Sequence, residues 1–116
     1  LYETAFEKNN AAFLAKGLAF NKYTGSRGKR GASDANAEYV AKIRKMMDEA
    51  DVMYQFSELG KVDVGGGGTI AHLMAEYGMN VIDCGVSVMN MHAPYEVVSK
   101  ADVYEAVRGY TAFLRA

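Results

Sequence analysis

With 116 residues, half of them apolar and 23% charged, the chain is long enough for one domain and too apolar to be disordered. A net charge of −1 excludes a global basic field for nucleic acid or an anionic membrane. No apolar run approaches the roughly 20 residues of a bilayer-spanning helix. The single cysteine, Cys84, excludes an internal disulfide framework and suits a reducing cytoplasm.

Residues 1–14 have only partly helical spacing and read as irregular. From Gly17 to Tyr23, Leu18 and Phe20 alternate onto one face and predict a strand. The stretch that follows, with Gly25, Gly28 and Gly31, reads as a loop. Arg27, Lys29 and Arg30 make it basic, which most often means a solvated surface. Ser33 has N-cap chemistry, and Val40, Ile43 and Met47 recur at helical spacing, so a helix is expected over 34–49. Val52 to Phe56 is an apolar run of strand length. Residues 57–64 are a connection. Thr69 is expected to cap a second helix striped by Ile70, Leu73, Met74 and Tyr77, with Gly78 ending it in the left-handed conformation. Met79 to Cys84 reads as a strand buried on both faces, and 85–98 as a loop. Ser99-Lys100-Ala101-Asp102 has the form of a capping box opening a last helix. Its apolar face is expected to comprise Val103, Ala106, Val107, Tyr110, Phe113 and Leu114. Strands alternating with helices indicate an α/β fold, a layered sheet with flanking helices.

The stretch from Asp63 to Pro94 carries the distinctive residues. Four consecutive glycines, Gly65 to Gly68, precede a helix start, where backbone N–H groups are free. The run is neither a Walker pattern nor G-x-G-x-x-G. It serves either close backbone approach to a ligand or a tight packed turn. His92 sits in a segment after an apolar strand. A lone histidine is more often structural than catalytic, but loops off strand ends carry sites. His72 reads as a partly exposed helix residue and Cys84 as a small buried hydrophobe. Asp63 and Asp83 are candidates to orient a ligand. No second histidine stands at ligand spacing from His92, so spacing alone gives no closed zinc site.

Several segments together resemble a known family: Lys22 to Lys29, Ser33-Asp34-Ala35, Glu58 to Asp63, Gly65 to Ile70, and Met91-His92-Ala93-Pro94-Tyr95-Glu96 through Lys100. The chain resembles, over nearly its whole length, the bacterial branch of the aminopeptidase I/aspartyl aminopeptidase family of dinuclear zinc metallopeptidases. The resemblance implies that His92 is a metal ligand and that Lys22 lies in the substrate pocket. It further implies that Gly67, Gly68 and Thr69 line that pocket. The general base and the remaining ligands of two zinc ions are expected upstream of Leu1. The chain is therefore expected to be the C-terminal segment of a catalytic domain from a cytoplasmic, homo-oligomeric enzyme acting on peptides, inactive alone. The alternatives are a small flavodoxin-like domain holding a ligand or phosphate at the glycines, and a stand-alone interaction module.

Overall fold

Leu18, Ala19 and Phe20 are each almost wholly buried, so both faces of their strand are covered. This strand, β1 (Leu18–Asn21), is the centre of the computed structural model, which describes residues 10–24, 33–58 and 70–116. It pairs in parallel with β4 (Tyr54–Phe56) and antiparallel with β5 (Asp83–Gly85), giving a three-stranded mixed sheet in the order β4-β1-β5. The α/β class expected from the pattern is present.

Between β1 and β4 the chain forms β2 (Tyr23–Thr24), β3 (Ser33–Asp34) and α1 (Ala37–Glu49). A parallel pair requires a long crossover, and α1 is part of it. Ser33 does not cap α1, contrary to the sequence expectation. Ser33 and Asp34 are extended and pair with Thr24 and Tyr23. Asn36 is the cap instead, its Oδ1 accepting from the Tyr39 amide at 2.8 Å. The ladder to β2 holds the earlier residues out of the helix. The C-terminus of α1 closes with Val52 N–H on the Met47 carbonyl (3.0 Å) and Asp51 N–H on that of Asp48 (3.1 Å). Asp51 takes φ +52, the left-handed conformation this closure needs. Val52 and Met47 then meet in the core, which also holds Leu18, Phe20, Ile43 and Ala106.

The second helix, α2, is confined to Ala71–Ala75, and Gly78 follows at φ +76 as its pattern predicts. Thr69, its expected cap, lies outside the described residues. Of the expected stripe, Ile70, Leu73, Met74 and Tyr77 are all exposed. The strand expected over 79–84 is reduced to β5, and its residues are only half-buried. The expected loop over 85–98 contains a hairpin, β6 (Val88–Met89) with β7 (Val97–Val98), in the register Val88↔Val98 and Met89↔Val97.

The last helix, α3 (Lys100–Arg115), differs from expectation at its start and on its face. Ser99 makes no side-chain cap bond. Asp102 is 0% exposed and turns inward. Its Oδ2 accepts from Ala15 N–H and its Oδ1 from Gly17 N–H, both at 2.8 Å. The inward face is Asp102, Ala106 and Gly109, one residue per helical turn. A Cβ built on Gly109 would stand 2.6 Å from Leu18 Cδ2, so α3 lies too close to β1 for larger residues there. Of the expected apolar face, Ala106 is buried, whereas the larger Val103, Val107, Tyr110, Phe113 and Leu114 are exposed.

Gly17 is the tightest point of this packing. It has φ +86, and a Cβ would meet the Met53 carbonyl oxygen at 2.1 Å. Gly17→Ala is expected to destabilise by more than about 2 kcal/mol, combining left-handed strain with displacement of β4. A denaturation midpoint equal to the parent's would contradict this packing.

Candidate metal-ligand and substrate-contact residues

The hairpin β6–β7 presents His92. Ala93 N–H bonds to the Asn90 carbonyl at 2.9 Å, closing a turn. Asn90 and His92 both occupy the left-handed region, at φ +59 and φ +68. These residue types enter it more readily than most. The Glu96 carboxylate accepts from the His92 backbone N–H and ties the two arms of the loop. The imidazole itself is exposed and makes no hydrogen bond to a described residue. A hairpin tip thus holds the backbone while leaving the imidazole available.

Lys22 lies at the bend between β1 and β2. Its Nζ contacts Asp34 Oδ1 at 2.7 Å, and its carbonyl accepts from Ala35 N–H at 2.7 Å. The bond to Asp34 raises the lysine's pKa above its ordinary value, so the ammonium persists at neutral pH. Glu58 is nearby. Burial pushes its carboxyl up, while the Lys22 charge pulls it partly back. Sequence reasoning assigned Asp34 to a helix's first turn and left Glu58 in a connection. The pairing of β2 with β3 brings Asp34 to Lys22, and no local pattern signals that pairing.

The expected site residues are placed on separate elements. Lys22 follows β1, and His92 follows β5 in the hairpin. No hydrogen bond or ion pair between described residues joins them directly. Gly67, Gly68 and Thr69 lie outside the described residues, as do Asp63, Arg27 and Lys29. Asp83 is on β5, paired with Asn21. His72 is half-exposed on α2, as expected. Cys84 is half-buried, and burial pushes its thiol up, so it stays protonated at neutral pH. Beside it, burial pushes the Tyr110 hydroxyl up to about 12.

A zinc site takes three or more protein donors. Among the described residues no group of three His, Cys, Asp or Glu side chains is placed to hold a metal ion. His92 offers one exposed imidazole, which suits one corner of such a site and not a cage.

The model of a zinc metalloprotease family, aminopeptidase I (M18), matches residues 1–114. The chain is 61% identical over 113 residues to a probable M18 family aminopeptidase 1 of Clostridium acetobutylicum, covering 97% of this chain and 24% of that protein. The crystal structure of aminopeptidase I from Clostridium acetobutylicum superposes with TM-score 0.86 at 61% identity, over 97% of this chain and 25% of that one. An M18 aminopeptidase structure from Thermotoga maritima gives TM-score 0.86 at 47% identity, with the same coverage. The chain belongs to the aminopeptidase I zinc metalloprotease (M18) family. It spans about a quarter of the length of the curated relatives it matches. The flavodoxin-like alternative is set aside by this membership. The antiparallel β5 in a mixed sheet also departs from a doubly wound parallel sheet.

Proposed function

We propose that this chain is the C-terminal segment of the catalytic domain of a zinc aminopeptidase, which removes N-terminal residues from peptides when the whole polypeptide is assembled. Membership of a zinc metalloprotease family, over almost all of this chain but about a quarter of its relatives, carries the reading. The exposed apolar residues of α2 and α3 support the segment reading. They form faces that a larger body would cover. We place the activity in the cytoplasm, in a homo-oligomer. No helix among the described residues is long and apolar enough to cross a membrane.

In this proposal His92 donates one imidazole nitrogen to one of two zinc ions, and the other ligands and the general base come from outside residues 1–116. Bound zinc supplies a water of lowered pKa and a Lewis acid toward the scissile carbonyl. The hairpin's contribution is to fix the backbone at His92 through Glu96 and the Asn90–Ala93 turn, leaving the ring to coordinate. Lys22 contacts the bound peptide from the end of the central strand β1. Gly67, Gly68 and Thr69 line the same pocket with bare backbone and a hydroxyl.

Peptidase assays of the intact enzyme test this reading. Hydrolysis of N-terminal residues is expected to stop on chelation and return with zinc. Lys22→Ala is expected to lower kcat/KM about tenfold or more with zinc content unchanged, the scale of about 1.4 kcal/mol of lost binding. Unchanged kinetics would return Lys22 to a solvated surface role.

A further inference from the structure

We propose that Asp34 is a specificity-determining positioning residue, which occupies the Lys22 ammonium so that the pocket favours uncharged over acidic N-terminal side chains. The inference rests on Lys22 being a substrate contact and adds what its partner does.

Two features of the structure carry it. The Nζ–Oδ1 separation of 2.7 Å is that of a short, charge-assisted hydrogen bond. The pair is also held by the backbone on both sides. Tyr23, next to Lys22, pairs with Asp34 across β2–β3, and Ala35 N–H binds the Lys22 carbonyl at 2.7 Å. Asp34 therefore faces Lys22 because two strands are zipped together, not because two long side chains have met in solvent. Glu58 adds a second acidic group near the same ammonium.

The electrostatic consequence concerns the incoming residue. A lysine is a point charge that attracts a carboxylate when unpaired. Here an acidic substrate side chain must either displace Asp34 or bind beside a carboxylate of like charge. An apolar or polar side chain meets neither penalty and can pack along the lysine's methylene stem. Discrimination by a repulsive element is a recognised route to specificity. The side chains of Lys22 and Asp34 are 48% and 58% exposed in this chain, so the ion pair contributes little to its folding. Removing the Asp34 charge thus releases the ammonium while leaving the strands paired.

The test compares kcat/KM for N-terminal aspartyl and leucyl p-nitroanilides in the intact, zinc-loaded enzyme. Asp34→Asn is expected to raise the aspartyl-to-leucyl ratio at least tenfold, through a lower KM for the aspartyl substrate with kcat little changed. Asp34→Glu, which keeps the charge, is expected to stay within about twofold of the parent ratio. Adding Lys22→Met to Asp34→Asn is expected to abolish the gain. If Lys22→Met alters kinetics but Asp34→Asn leaves the ratio unchanged, this inference fails and the role of Lys22 stands. If Lys22→Met alters nothing, the substrate-contact reading fails and takes this inference with it. Asp34→Ser is the second neutral variant. Loss of folding or of zinc in both neutral variants would make Asp34 a structural residue and overturn the proposal.

Discussion

Replacing His92 with alanine in the intact enzyme is expected to remove or greatly weaken one zinc per subunit and to reduce peptidase activity at least about 100-fold. Loss of a group that merely orients a ligand already costs about 10–100-fold, and loss of the ligand itself should cost no less. The fold is expected to survive. The imidazole is exposed and bonds to no described residue, so its removal leaves no buried group unpaired. The backbone needs more care, because His92 sits at φ +68. Alanine enters that region less readily than histidine and so adds some local strain, which asparagine avoids better. His92→Asn is therefore the companion variant. Both variants should lose metal on dialysis under conditions in which the parent retains it. Equal zinc and equal activity in parent and variants would make His92 structural and remove the metal-ligand assignment.

Asp102→Ala is expected to have the largest effect on stability. The carboxylate is fully buried and is the acceptor for two backbone amides, those of Ala15 and Gly17. Ala15 holds φ +60 and Gly17 φ +86, so the segment bends sharply around those oxygens. Deleting the carboxylate leaves the buried Gly17 amide without an acceptor, at about 1–3 kcal/mol, and takes the partner from the part-buried Ala15 amide at a smaller cost, so the expected loss is about 2–4 kcal/mol. It also frees the turn that delivers the chain into β1, the strand at the centre of the sheet. Asp102→Asn keeps one acceptor oxygen and is expected to lose roughly half as much. Equilibrium denaturation of the three proteins orders them, and a midpoint for Asp102→Ala equal to the parent's would refute the clamp. Zinc content and KM of the folded fraction should be unchanged, which separates this residue from His92.

Asp102 also shows where local reading stops. A Ser followed three residues later by an acidic residue satisfies the capping-box pattern, and α3 does begin after Ser99. The acidic side chain instead serves a loop more than eighty residues earlier in the chain. Sequence proximity identified the helix start but not the partner.

What the sequence determined by itself was set by local chemistry and by motif. The helical spacing of Ile43 and Met47 marked α1, and both are buried. Gly78 marked the end of α2, and Leu18 with Phe20 marked the central strand. The joint presence of the glycine-threonine segment and Met91-His92-Ala93-Pro94-Tyr95-Glu96 pointed to the family that the comparisons show. Tertiary structure decided the rest. It drew Ser33-Asp34 into a strand beside Tyr23-Thr24, moved the α1 cap to Asn36, and folded 88–98 around a hairpin. It also chose the face of α3. Hydrophobic periodicity finds the most apolar side of a helix, and on α3 that side carries Val103, Ala106, Val107, Tyr110, Phe113 and Leu114. Close packing onto β1 turned inward only Ala106 of that face, together with Gly109, because Leu18 leaves no space for a larger residue at Gly109. Apolarity is a property of each residue and can be read in order along the chain. The distance between a helix and a strand depends on residues far apart in sequence, and exists only once both are in place.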